Sequence, residues 1–274
     1  MLYLVATPIG NLEDMTFRAV RVLKEASLIA AEDTRHTRKL LQHYQIDTPL
    51  ISYHDHSSTQ RIDNLLDRLA VGDVALVSDA GMPGLSDPGY RLVKAAVEAG
   101  IPISPIPGAT AAVSALVTSG LPTDRFLFLG FPPRQQTARR AELSAVAQLT
   151  YTIVFYESPH RLVTLLQDAQ ELLGDRQVMV GREITKQFEE LWRGSTAEAI
   201  AYFGAQDRIR GEITVVIAGA SKQAGKWSEE EVIAAIQQAL TAGKHRKKVA
   251  GDIATEAGWR KREVYQLSLK VDND

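Results

Sequence analysis

Apolar residues are distributed along the chain in two rhythms. Short continuous runs, LYLVAT (2–7), SLIAAED (27–33), VALVS (74–78) and PISPIPG (102–108), alternate with stretches that carry an apolar residue every third or fourth position. The first kind predicts strands buried on both faces, and the second predicts amphipathic helices over Thr16–Glu25, Thr37–Tyr44, Ser58–Ala70 and Tyr90–Ala99. Such alternation builds a largely parallel sheet covered by helices, here over residues 1–121. Beyond Pro122 the runs FLFLGF, TYTIVFYES, QVMVGRE and GEITVVIAG, with helices near Thr137–Ala147 and His160–Leu173, predict a second α/β domain with a mixed sheet over 122–220. The polar, glycine-containing SKQAGKW at 221–227 reads as a linker. In SEEEVIAAIQQAL, Ser228 stands as N-cap and Glu231 at the capping-box position.

The final segment, KKVAGDIATEAGWRKREVYQLSLK, has Ala254 four residues before Gly258, with apolar Ile253, Val264 and Leu267 around them. That pattern describes a helix-turn-helix within a small helical module spanning 221–274. Between Lys244 and Arg262 there are seven basic residues, Lys244, Arg246, Lys247, Lys248, Arg260, Lys261 and Arg262, against two acidic ones. The local excess suits a phosphate backbone, whereas the whole-chain charge of −2 does not suit general coating of nucleic acid. Helix-turn-helix units also serve as dimerisation elements, so both uses stay open.

Composition is ordinary for a globular protein, 45% hydrophobic and 23% charged, and the chain of 274 residues has room for two domains. With no cysteine it has no disulfide, thiolate metal site or cysteine nucleophile, as befits a reducing cytoplasm. No secretory leader and no membrane span is expected from the apolar runs. The pair His54 and His56 has no third ligand at metal-binding spacing, and no metal is expected. The chain also lacks a phosphate-cradling G-x-x-x-x-G-K-[ST] loop, the dinucleotide glycine fingerprint, an H-E-x-x-H zinc motif and a nucleophile elbow.

What remains is a set of backbone-rich loops, each at the carboxyl end of a predicted strand: ATPIGN (6–11), SDAGMPGLSDPG (78–89) and PIPGATAAVSA (105–115). Glycine admits a ligand close to the main chain, and tiny side chains at a helix start leave free amides approachable. In open α/β sheets such strand ends form the ligand crevice. Three convergent loops therefore predict one pocket, although each loop alone is equally a tight helix–sheet connection.

The ordered array ATPIGNLEDMTFRA, EDTRHTRKLL, SDAGMPGLSDPGY, PGATAAVSAL, FYESPHR, GREITKQFEE and RGEITVVI resembles the tetrapyrrole (corrin/porphyrin) methylase superfamily over residues 1 to about 219. Within it, the chain is most similar to a branch that uses S-adenosylmethionine to methylate a cytidine ribose 2′-hydroxyl in the decoding centre of 16S ribosomal RNA. The resemblance implies a two-domain class III methyltransferase fold with the cofactor folded into the interdomain cleft, and a homodimer. It places cofactor contacts on Pro8, then on Ser78, Asp79, Ala80, Gly81, Pro83 and Ser86, on Thr110 and Ala111, and on Tyr156, Glu157, Glu212 and Thr214. Porphyrin-type members carry G-x-G-P-G in the first loop, where this chain reads T-P-I-G-N.

Methyl transfer to a ribose hydroxyl needs in-line orientation and a proton acceptor, because the hydroxyl is too weak an acid to ionise alone. The charged loops EDTRH and GREITK offer Asp33 or Glu183 as acceptor, with Arg35 and Lys186 holding phosphate or the developing oxyanion. Arg134, Arg139 and Arg140 in PPRQQTARR form a further expected exposed basic cluster for RNA. His160 and Arg161, after Ser158-Pro159, read more simply as a helix start. Rival readings are a small-molecule methylase of a corrin or porphyrin precursor and a non-enzymatic helix-turn-helix regulator that senses a ligand.

Overall fold

The structure is a computed structural model and describes residues 1–54, 57–221 and 227–271, with the side chains of all of these except Thr255 and Glu256. His56, half of the histidine pair, and most of the expected linker lie outside the described residues. Two units are distinguished, Met1–Gly219 and Ala220–Asp274.

In the first unit, β1 (Leu2–Val5), β2 (Leu28–Ala31), β3 (Leu50–Ser52), β4 (Val74–Val77) and β5 (Ile103–Ile106) form an all-parallel sheet in the order β3-β2-β4-β1-β5. Every residue of β2 and β4 is buried, because successive side chains enter opposite layers. Val5, Ile29, Ala31, Ala75 and Val77 pack with α1 (Phe17–Glu25) and α2 (Thr34–His43). Leu2, Leu28, Ala30, Val74 and Leu76 pack with α3 (Thr59–Val71) and α4 (Tyr90–Glu98). The chain leaves adjacent strands β1 and β4 in opposite directions, toward β2 and β5, so their carboxyl ends open a crevice.

The second sheet, β6 (Phe126–Phe128), β7 (Thr152–Glu157), β8 (Gln177–Arg182), β9 (Glu190–Ser195) and β10 (Ile213–Ile217), runs β6-β7-β10-β8-β9. It is mixed, as expected, with β6 and β7 parallel and the remaining pairs antiparallel. One face packs on α6 (Gln136–Val146), α7 (Leu162–Leu173) and α8 (Thr196–Gly204). The other packs on α5 (Ala111–Thr118), whose Ala112, Ala115 and Leu116 meet Val154, Met179 and Val216. The tiny residues expected for ligand approach at this helix therefore also let it sit closely against the second sheet.

Three elements were not anticipated: β3, β9 and α8. Both strands are sheet edges and short or polar, β3 partly buried throughout and β9 partly buried except at the exposed Arg193. Two helix starts also differ. α2 begins at Thr34 rather than Thr37, because Asp33 Oδ1 accepts the Arg35 amide at 2.8 Å and caps it. α7 begins at Leu162, after Ser158 and Pro159, with no side-chain cap.

The second unit holds α9 (Glu229–Thr241), α10 (Arg246–Ala257) and α11 (Lys261–Lys270) around Val232, Ile236, Val249, Ile253, Val264 and Leu267. The expected capping box forms, Ser228 N donating to Glu231 Oε2 at 2.8 Å and Glu231 N to Ser228 Oγ at 3.2 Å. Gly258 takes a left-handed φ of 65° between α10 and α11, which makes the helix-turn-helix corner.

Candidate active site

The first two loops are joined by reciprocal backbone bonds, Thr7 N to Gly81 O at 2.9 Å and Gly81 N to Thr7 O at 3.1 Å. Gly81 adopts φ +78°, which a side chain would strain. The third loop presses on the first at Gly108, where a Cβ would stand 2.9 Å from that of Ala6. These contacts bring the strand ends into one wall of a cavity.

That cavity, of about 350 Å³, is closed by residues from the second sheet. Among the expected cofactor residues, Ala80, Gly81, Ser86, Thr110, Ala111, Tyr156, Glu157, Glu212 and Thr214 line it. Pro8, Ser78 and Asp79 instead line an adjoining groove of about 530 Å³, and buried Pro83 lines neither. Sequence reasoning missed the apolar lining from Ile9, Leu85, Phe131 and Ile184, and also Gly211. Leu85 and Phe131 carried a signal only as large apolar side chains inside Gly/Pro-rich loops, where nothing else would bury them.

The Tyr156 hydroxyl accepts the Ala112 amide at 3.2 Å, and its ring packs edge-on to Phe128 at 4.9 Å. Burial pushes the Tyr156 phenol up and outweighs the opposing contributions of Ala112 and Thr110, so it stays protonated. Thr110 Oγ1 is buried in the same wall beside the phenol, with no group in full hydrogen-bonding geometry to it. Glu157 has a structural use, since its carboxylate accepts the Ser158 amide at 2.6 Å and the Arg161 guanidinium at 2.7 Å.

The cavity and the groove share Ile9, Ala80 and Glu212, and Lys186 stands in the groove beside them. Lys186 Nζ donates to Glu183 Oε1 at 2.8 Å and pairs with Glu212 Oε2 at 3.2 Å. Burial alone would raise the Glu183 carboxyl, but bonds from Lys186 and the Glu212 amide and the charges of Lys186 and Arg182 bring it below its ordinary value. Burial likewise works against the Lys186 ammonium, yet Glu183 and Glu212 raise its pKa overall. The turn carrying them is strained: Glu183 and Thr185 have φ 52° and 68°, left-handed for residues other than glycine. Two glycines make room. A Cβ on Gly10 would lie 2.3 Å from Lys186 Cγ, and one on Gly211 would lie 2.4 Å from Glu183 Cγ.

The other charged candidates fall elsewhere. Asp33 and Arg35 line neither space; they pair at 2.7 Å, and the Arg35 guanidinium and amide hold the Asp33 carboxyl well below the usual carboxylate range. The exposed cluster of Arg134, Arg139 and Arg140 does not form. Arg139 is buried against Asp168, with Nε donating at 2.8 Å, while Arg140 bridges Asp168 and Glu171, and only Arg134 stays open. These arginines face inward because Asp168, itself buried on α7, requires compensation. In the second unit Lys244, Lys247, Lys248, Arg260, Lys261 and Arg262 are exposed, whereas Arg246 is partly buried and donates to the Ser268 carbonyl at 2.7 Å.

The model of the Tetrapyrrole (Corrin/Porphyrin) Methylases matches residues 1–200. Over its full length the chain is 50% identical to a ribosomal RNA small subunit methyltransferase I of Synechocystis sp., covering 99% of that protein. It is 47% identical to the protein of the same name from Halalkalibacterium halodurans, over 97% of this chain and 93% of the relative. Its fold is similar to that of a uroporphyrin-III-C-methyltransferase from Thermus thermophilus, with a TM-score of 0.57 and 22% identity over 78% of this chain and 93% of that one. The joined loops, the cavity they close and these matches together show that the chain belongs to the Tetrapyrrole (Corrin/Porphyrin) Methylases, beside relatives named ribosomal RNA small subunit methyltransferase I.

Proposed function

We propose that the chain is an S-adenosylmethionine-dependent methyltransferase of the 2′-hydroxyl of a cytidine in the decoding centre of 16S ribosomal RNA. The observation that carries this reading is the adjacency of the cavity and the groove across Ile9, Ala80 and Glu212, so that a donor in one abuts an acceptor in the other. The names of the relatives supply the class of acceptor.

The cavity suits the cofactor. Its volume lies in the range of about 300–1,000 Å³ usual for small-ligand sites, its lining is mainly apolar with a few polar groups, and the buried Thr110 Oγ1 still has a hydrogen bond to make. When bound, S-adenosylmethionine supplies an electrophilic methyl group on a sulfonium. Main-chain groups at 80–82 and 110–111 and the side chains of Thr110 and Tyr156 hold it, while Ile9, Ile184 and Phe131 exclude water. Pro8, Ser78 and Asp79 extend toward the acceptor groove, and Pro83 shapes the second loop from beneath. In the groove the Lys186 ammonium stabilises charge developing on the attacking oxygen, and Glu183, which lines neither space but is bonded to Lys186 and ionised at neutral pH, receives the proton. Asp33 and Arg35 cap and brace α2 at the groove margin.

The two sheets act as two lobes, divided near residue 121. The exposed cations of the helical module, together with Arg134, grip the phosphate backbone of the small ribosomal subunit. The enzyme works in the cytoplasm as a homodimer; among the described residues no helix is long and apolar enough to cross a membrane.

The decisive experiment maps ribose methylation in 16S ribosomal RNA with and without the protein, alongside calorimetry with S-adenosylmethionine. A new methylated ribose and measurable cofactor uptake are expected. Cofactor uptake with no affinity for ribosomal RNA at low salt would turn the assignment to a small-molecule methylase. No uptake of S-adenosylmethionine or S-adenosylhomocysteine by the folded protein would end the methyltransferase reading.

A further inference from the structure

Beside the acceptor groove lies a second one, of about 600 Å³, between α1 and α2. Its rim carries Phe17, Arg21 and Lys24 from α1, His43 from α2 and Tyr44 just after it. Phe17 is 98% exposed, more than any other large apolar side chain among the described residues. Phe17, Arg21 and Lys24 follow at spacings of four and three, so they share one face of the helix. The one acidic side chain in the lining, Glu25, pairs with Arg21 at 2.8 Å, which offsets that cation and leaves Lys24 as the wall's cation with no acidic partner among the described residues. Glu13 and Asp14, just before Met15, stand near Tyr44, where they add to burial in raising its phenol. A negative ligand group therefore finds its partner on the α1 wall at Lys24.

The two grooves share continuous walls. The segment after β1 contributes Leu12 to the acceptor groove and Met15 to the second. α2 contributes His36 and Lys39 to the acceptor groove and His43 to the second, at spacings of three and four along one helical face, about 10 Å end to end. An exposed aromatic ring flanked by cations, one short step from a site for a ribose, is the arrangement that holds unpaired bases: the ring takes the base face and the cations take the phosphate.

We infer that the α1–α2 groove seats an unpaired base of the RNA neighbouring the methylated nucleotide, stacked on Phe17 with its phosphate on Lys24. This rests on the reading of the acceptor as RNA. Phe17 supports no core, so its replacement leaves folding intact.

The test compares wild type, Phe17→Ala, Phe17→Tyr and Lys24→Glu in two assays. One is methylation of small ribosomal subunits, and the other is anisotropy of a short unpaired oligoribonucleotide, which needs no turnover. For Phe17→Ala an increase in Kd for the oligonucleotide and in KM for the subunit of about 5- to 100-fold is expected, with the loss in KM rather than kcat. Phe17→Tyr should restore binding, and Lys24→Glu should weaken it and flatten its salt dependence. Unchanged oligonucleotide affinity in Phe17→Ala overturns the inference. So does sedimentation showing that Phe17→Ala dissociates a dimer, which would give the groove to a second copy of the chain. If the wild type binds RNA through Phe17 yet methylates none, the groove stands and the proposed function falls.

Discussion

At the scale of single residues, the proposed chemistry turns on the pair Lys186 and Glu183, which two left-handed turn residues and two glycines hold beside the shared wall of cavity and groove. Glu183→Gln and Lys186→Met should each lower single-turnover methylation by about 10²-fold or more, as loss of a proton acceptor or of charge stabilisation does, while calorimetry still detects cofactor binding. Normal turnover in both variants would remove the pair from the chemistry. Because the folded Glu183 carboxyl titrates below its ordinary 4.5, the pair stabilises the fold above that pH and is lost as pH falls through the lowered value. Thermal unfolding followed between about pH 3 and 6 should therefore show a shallower acid dependence in Lys186→Met than in wild type. Asp33 illustrates how a charged residue can serve the backbone beside it. EDTRH is a helix start, and a carboxylate that caps and pairs within two residues of itself is spent locally.

At the scale of elements, the buried strands were legible because β2 and β4 are apolar at every position, and the capping box announced α9. β3 and β9 were not legible, since an edge strand is paired on one side only and partly buried, and ELWRGS carries no two-residue rhythm. The loops that line the cavity were visible from their glycines. Their partners Ile184 and Gly211 were not, because sheet pairing in the second half sets their position. Arg139 was misread for a related reason: nothing local to PPRQQTARR reveals that α7 buries Asp168 opposite it. Arg139→Met should destabilise the first unit by about 3–5 kcal/mol in urea unfolding, by leaving Asp168 with less compensation in a buried setting. A loss confined to RNA affinity, with stability intact, would contradict the buried pairing.

At the scale of the whole molecule, the helical unit has its own apolar core, and the chain divides into two compact units after residue 219. A chain ending at Gly219 should stay folded and bind S-adenosylmethionine. Its affinity for small ribosomal subunits should fall, with the slope of log K against log salt reduced by about 0.7–0.9 for each phosphate that the module no longer neutralises. An unchanged slope would confine the helical unit to a role other than phosphate binding. The fold gives the larger unit one wall that cannot yield: Thr7 and Gly81 clasp the first two loops through paired amides, rooted in strands buried on both faces. That wall works as an anvil. Adjustment to an arriving nucleotide is left to the Glu183–Glu189 turn opposite, tied to the anvil by the Asn11 amide on Thr185 Oγ1 at 3.2 Å and by the packing of Lys186 on Gly10. Hydrogen exchange should accordingly be slow at the amides of Thr7 and Gly81 and quicken first at Asn11.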